Sequence, residues 1–180
     1  MNLFREETFT KISKKFNFKI KIFIIISILL FLLSYFISNE MLYKAYIPTG
    51  SMKPTIMEED EVIVSKIYGS IKRGDIFVFN HESSEELLIK RVVGLPGEKI
   101  ELKDGLLYVN GVLTYEPYVK NNESINKTFY VPSGNYLFFG DNRIKSEDAR
   151  RWENPFVPKE NLDGKALFTI YPKERIGLLN

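Results

Sequence analysis

Residues Ile22 to Ile37 read IFIIISILLFLLSYFI, sixteen positions without a charge, and a run of this kind has to leave water as a block. As a helix it spans ~24 Å against a hydrocarbon core of ~30 Å. Phe16, Phe18 and Ile20 lengthen it, because Lys19 and Lys21 can lay their stems along the helix and carry their ammonium groups to the headgroups. A single transmembrane anchor is therefore expected over residues 22–38. Every cation of this region (Arg5, Lys11, Lys14, Lys15, Lys19 and Lys21, against Glu6 and Glu7) precedes the run, which places a basic tail, residues 1–21, in the cytoplasm. The body, residues 39–180, is then extracytoplasmic. The competing reading is a cleaved signal peptide; the long basic leader, the length of the run and the missing small-x-small pair after it oppose that.

The body has room for one domain of roughly 140 residues with a single sizeable core. Net charge is +2 for the whole chain, but the body alone carries 19 cations against 21 anions. That balance excludes the basic footprint of a nucleic-acid binder. The chain has no cysteine, hence no disulfide frame and no thiolate nucleophile or metal ligand. Its one histidine, His81, lies in the polar run Asn80-His81-Glu82-Ser83-Ser84-Glu85-Glu86, which reads as an exposed loop, and one histidine excludes the usual multi-histidine zinc site. No metal or other cofactor is expected.

Fourteen Phe and ten Tyr favour β structure, and apolar runs recur at strand length: Val62–Val64, Ile76–Phe79, Leu87–Ile89 running into Val92–Val93, Lys99–Leu102, Tyr136–Phe139 and Ala166–Ile170. Asp104-Gly105 and Asn110-Gly111 bracket Leu106–Val109 as two hairpin turns that need positive φ. The expected fold is mainly β, a largely antiparallel barrel or sheet domain behind one N-terminal transmembrane helix, with Tyr118 to Asn126 as an exposed polar loop.

Three short stretches hold groups that can do chemistry. In Ile47-Pro-Thr-Gly-Ser-Met-Lys-Pro-Thr55, two prolines and a glycine that tolerates positive φ shape a turn around Ser51, which by itself is an ordinary turn serine. In Leu88-Ile-Lys-Arg-Val-Val93, strand alternation puts Lys90 between Leu88 and Val92 on one face, and Arg91 between Ile89 and Val93 on the other. Either this is an edge strand whose cations reach solvent, or a lysine sits in an apolar site. In the second case desolvation lowers its pKa and makes the neutral amine a general base for a serine hydroxyl. The third stretch, Gly140-Asp-Asn-Arg-Ile-Lys-Ser-Glu-Asp-Ala-Arg150, reads as a charged loop or as the source of partners for buried cations.

The three blocks Pro48–Thr55, Lys90–Gly97 and Gly140–Arg150 stand in the order and rough spacing of type I signal peptidases, and the chain resembles a compact, single-anchor bacterial member of that Ser/Lys peptidase family. The likeness runs from the anchor to about Ala166 and takes in Lys72-Arg-Gly-Asp75. It implies Ser51 as nucleophile, Lys90 as general base, and an oxyanion hole from the Ser51 N–H and the Thr49 hydroxyl. It further implies Ser146 orienting the lysine, with Asp141, Asp148, Arg91 and Arg150 as supporting ion pairs. Shallow apolar pockets for the substrate would come from Ile47, Pro48, Met52, Ile56, Leu88 and Ile89, with Met52 also meeting lipid. Thr49 replaces a frequent serine, and its β-branch narrows the rotamers of the donor. Ala149 replaces another serine and removes a hydrogen bond from the surroundings of the site.

The implied partners are preproteins cleaved after small-x-small sites, such as Ala-x-Ala, and the lipid bilayer; the implied location is the plasma membrane, single-pass, and the expected state is a monomer. Two other readings are a self-cleaving Ser/Lys repressor-type protease and a catalytically silent tethered β module. The first is opposed by the anchor and by the lack of an Ala-Gly cleavage pair, the second by the joint presence of Ser51, Lys90 and Ser146.

Overall fold

The computed structural model describes residues 19–35 and 41–179. The chain divides into two units, Met1–Met41 and Leu42–Asn180. In the first, residues 19–35 form a helix, α1, whose large apolar side chains are all exposed, from Ile22 at 41% to Phe23 at 71%. Its length of ~26 Å follows from the helical rise, and among the described residues no helix is long and apolar enough to cross a membrane. The basic tail up to residue 18 and the last positions of the expected anchor, 36–38, lie outside the described residues.

The second unit is β throughout apart from two single-turn 3-10 segments. Its strands are β1 (Leu42–Tyr46), β2 (Glu61–Ser65), β3 (Ile76–His81), β4 (Ser84–Gly94), β5 (Lys99–Lys103), β6 (Leu106–Val109), β7 (Val112–Leu113), β8 (Lys127–Tyr130), β9 (Asn135–Phe139), β10 (Phe156–Pro158), β11 (Leu162–Tyr171) and β12 (Gly177–Leu178). Every strand pair is antiparallel. The larger sheet runs β1-β2-β11-β3-β4-β9-β10 with β12 added to β11, and the smaller runs β7-β6-β5-β8.

Strand alternation explains why the larger sheet is covered on both faces. On β3, Ile76 and Val78 join Val62, Val64 and Ala166 in one apolar cluster, while Phe77 and Phe79 join Val92, Leu137, Phe138 and Phe139 in the other. Phe77 and Phe79 are fully buried, which contributes roughly 1.5–3 kcal/mol per side chain. The hairpin turns form as expected: Asp104, Gly105, Asn110 and Gly111 all have positive φ, at 51°, 79°, 50° and 83°.

His81 departs from its expected place in an exposed loop. β3 continues through it, so the ring turns inward to 5% exposure and stacks on Trp152 at 4.0 Å. The Ser83 N–H donates to Nδ1 at 3.1 Å, which leaves Nε2–H to donate to the Asn154 carbonyl at 2.9 Å. The histidine is thus a satisfied packing residue at the end of a strand.

Candidate active site

Ser51 is presented by the long connection between β1 and β2. The connection is closed at its base by two backbone bonds, Ile47 N–H to the Asp60 carbonyl (3.0 Å) and Glu59 N–H to the Ile47 carbonyl (2.8 Å). It is pinned inward by Met52 and Ile56, both at 0% exposure. From outside, Arg175 donates to both oxygens of buried Asp60 (2.9 and 3.0 Å) and to the Thr55 carbonyl (3.1 Å). Gly50 is not in the positive-φ region; its missing Cβ makes room for the Lys53 and Glu58 side chains instead.

Lys90 comes from the middle of the sheet. β4 lies between β3 and β9, so the solvent-facing edge-strand alternative does not apply, and Lys90 is paired with Phe77 across the ladder. Its Nζ lies 2.8 Å from Ser51 Oγ in a hydrogen bond buried from solvent. Burial lowers the Lys90 pKa to about 8, while the negative charges of Asp148, Glu147 and Asp141 pull in the opposite direction. Thr49 adds its hydroxyl, which donates to Ser51 Oγ at 3.4 Å. Around the pair runs a cleft of about 310 Å³ lined by Leu88, Lys53, Glu58, Lys145 and Glu147.

The buried arginines and carboxylates near the pair sort into two clusters. Arg91, on the face of β4 opposite Lys90, grips Asp141 through Nε (2.9 Å) and Nη2 (2.7 Å) and also donates to the Gly74 carbonyl (2.7 Å) and Thr55 Oγ1 (3.3 Å). Arg150 grips Asp148 in the same two-pronged way, at 2.8 and 2.9 Å, and adds the Arg143 carbonyl and Glu123. Burial alone would raise the Asp148 carboxyl, but the Arg150 hydrogen bonds and charge and the Gly140 N–H carry it below the usual value.

Some predicted residues sit elsewhere than expected. Met52 and Ile56 are sealed in the core beneath the turn, because the turn needs an inward anchor, and they touch neither cleft nor lipid. Leu88 does line the cleft, and Ile47, Pro48 and Ile89 line a second, largely apolar cavity of about 280 Å³ with Tyr43, Tyr46 and Leu87. Ser146 is 1% exposed, but its hydroxyl makes no hydrogen bond to the lysine or to any other described group, being packed over Gly140. Ala149 is fully buried in an apolar cluster.

Sequence reasoning assigned no role to Thr55, Glu116, Tyr118, Asn142 and Arg143. The Tyr118 ring lies 3.9 Å from the Arg91 guanidinium carbon, and Glu116 receives Arg143 Nη2 at 2.6 Å. Tyr118 opens the stretch to Asn126 that the sequence reads as an exposed polar loop. Its outer residues Lys120, Asn121, Asn122 and Ser124 are, while Tyr118 and Glu123 turn in to meet arginines. Thr55, Asn142 and Arg143 lie inside the blocks Pro48–Thr55 and Gly140–Arg150, whereas Glu116 and Tyr118 carry no local signal.

Gly140 is where the two serines meet. A Cβ there would lie 2.5 Å from the Ser51 carbonyl and still closer to the Ser146 side chain, and a backbone oxygen has no rotamer by which to yield. Gly140→Ala is expected to cost about 1–3 kcal/mol in thermal or denaturant unfolding. The displaced Ser51 should also lower turnover by more than the loss of folded protein accounts for.

Fold and site together define a class: an antiparallel β protein whose cleft pairs a serine hydroxyl with a desolvated lysine amine. The family model described as "Signal peptidase, peptidase S26" matches residues 18–171, and the chain belongs to that family. It is 38% identical over 144 residues to "Probable signal peptidase I-2" of a Synechocystis strain, an alignment covering 74% of this chain and 65% of that protein. It is 37% identical over 165 residues to "Signal peptidase I P" of Bacillus subtilis subsp. natto, covering 83% and 89%. A crystal structure of an Enterococcus faecalis signal peptidase I aligns with 32% identity and a TM-score of 0.49, over 55% of this chain and 98% of that one.

Proposed function

We propose that the protein is a membrane-anchored serine endopeptidase that removes N-terminal signal peptides from exported preproteins after small-x-small sites. The observation that carries the reading is the buried 2.8 Å contact between Lys90 Nζ and Ser51 Oγ. A lysine held to about 8 is neutral in roughly a tenth of molecules at pH 7, enough to serve as a base. The Ser51 hydroxyl gives its proton to Nζ as Oγ bonds to the scissile carbonyl carbon. The carbonyl oxygen takes up negative charge facing the Ser51 N–H and the Thr49 hydroxyl. The Lys90 ammonium then protonates the departing amine of the mature protein, leaving an ester on Ser51. Water, deprotonated by the same amine, hydrolyses that ester and frees the signal peptide.

The rest of the chain serves this in our reading. Residues 1–21 form a cytoplasmic tail, 22–38 a single anchor in the plasma membrane, and 39–180 an extracytoplasmic catalytic domain acting as a monomer. Leu88 and the cavity beside Pro48 and Ile89 receive the small residues before the cleavage point. Arg91 with Asp141, and Arg150 with Asp148, hold the turn and the loop, and Ser146 supplies the lysine with a buried hydroxyl once substrate has settled.

The test is cleavage of a preprotein by the full chain in lipid vesicles, read by the mass of the mature product. Replacing the residue before the junction by tryptophan should stop cleavage; equal cleavage of both preproteins would refute the assigned substrate class. Ser51→Ala in parallel identifies the responsible group.

A further inference from the structure

We infer that Asn142 is a positioning residue of the oxyanion hole, one that fixes the direction of the Ser51 N–H; this rests on the Ser51 nucleophile reading above. Asn142 is 2% exposed and touches the nucleophile turn twice. Its side-chain Nδ2 donates to the Gly50 carbonyl at 3.1 Å, and its backbone N–H donates to the Ser51 carbonyl at 3.0 Å.

These two carbonyls belong to the peptide units on either side of the Ser51 Cα. A trans peptide is planar, so its C=O and N–H point in opposite directions. The Gly50 carbonyl and the Ser51 N–H share one such plane. Holding that oxygen against Asn142 therefore aims the Ser51 N–H the other way, and holding the next carbonyl fixes the second plane, so that both backbone torsions of Ser51 are set by one side chain and its backbone.

Three further observations agree. The Gly50 carbonyl also accepts from Lys53 N–H at 3.2 Å, so without Asn142 it would keep only the bond internal to the turn, which lets the turn pivot as a unit. The Ser51 N–H itself has no acceptor among the described residues, an unspent donor next to the nucleophile. Asn121 Nδ2 donates to Asn142 Oδ1 at 3.4 Å, which sets the amide with its nitrogen toward Gly50. Asn142 also begins the loop turn that carries Ser146, through Ser146 N–H to its carbonyl at 2.9 Å. Oxyanion geometry and the second serine thus hang from one residue.

The experiment compares full-length wild type, Asn142→Ala, the isosteric Asn142→Asp and Ser51→Ala on a preprotein in lipid vesicles, with rates normalised to the folded fraction. Both Asn142 variants should lose kcat on the order of 10- to 100-fold, with KM within about twofold. In Asn142→Ala the pH at which the rate rises should not move, because that change adds no charge near Lys90, whereas the new carboxylate of Asn142→Asp should shift it upward. A peptide aldehyde, whose adduct needs the same N–H, should weaken by a comparable factor. Combining Asn142→Ala with Thr49→Val should cost less than the product of the single losses, since both act on one oxygen.

Wild-type kcat and aldehyde affinity in the Asn142 variants, with Ser51→Ala inactive, would overturn the inference alone. So would a loss confined to KM, a displaced pH profile in Asn142→Ala or fully multiplicative losses. An active Ser51→Ala would instead remove the nucleophile reading and this inference with it. Should neither variant fold, the through-hydrogen-bond NMR coupling between Asn142 Nδ2 and the Gly50 carbonyl carbon decides in the wild type, its absence counting against the assignment.

Discussion

Lys90→Met should abolish preprotein cleavage, by at least about 10⁴-fold, and yet make the protein more stable. The loss follows from chemistry: methionine fills the volume but offers no basic nitrogen to the Ser51 hydroxyl. The gain follows from linkage. In the fold the lysine titrates at about 8, against 10.5 for the ordinary side chain, so burying it costs stability wherever both folded and unfolded chains carry the proton. Below pH 8 that cost is complete, on the order of 3 kcal/mol, and methionine removes it. Between pH 8 and 10.5 the unfolded chain holds a proton that the folded chain has lost, so wild-type stability rises with pH and the advantage of the variant shrinks. Thermal unfolding at pH 7 should show a rise of roughly 5–10 °C for Lys90→Met, fading toward pH 10.5. A silent packing lysine at an exposed edge would show neither effect.

Asp141→Ala should produce the largest loss of stability of any single change near the site. It leaves the Arg91 guanidinium at 1% exposure without its carboxylate, and removal of one partner of a buried ion pair costs about 3–5 kcal/mol. The Gly74 carbonyl and the Tyr118 ring still hold the cation, which favours the lower end, a fall in Tm of about 10 °C. Thr55, which lies in the connection that carries Ser51, loses its 2.5 Å hydrogen bond to Asp141 in the same stroke. Replacing both partners, Arg91→Met with Asp141→Leu, should restore most of the stability without restoring the rate. Chemical denaturation with a parallel cleavage assay separates the two effects.

The sequence made the chemistry legible where local pattern and fold agree. Strand alternation around Lys90 named the two possible environments, and the interior position of β4 decides between them; that position depends on β9, some forty-five residues later, which no local reading contains. The two Asx-Gly turns were legible because positive φ is a local demand. His81 was misplaced because a polar neighbourhood says nothing about whether a strand continues through it. Met52 and Ile56 were drawn toward the substrate because they neighbour Ser51 in sequence, yet a turn that must hold a nucleophile still needs apolar anchors pointing the other way. Short strands such as β7, β10 and β12 escaped because a partner, rather than propensity, makes them. Glu116 and Tyr118 join the site through tertiary packing alone.

Attack by Ser51 requires a Lys90 that is neutral at that moment. The most direct measurement is therefore the pH dependence of kcat/KM for preprotein cleavage by the full chain in lipid vesicles. The rate should rise with pH through a single ionisation near 8 and level off above it, as protonated Lys90 gives way to the free amine. A rise centred near the ordinary lysine value of 10.5, or a rate indifferent to pH between 7 and 9, would contradict it.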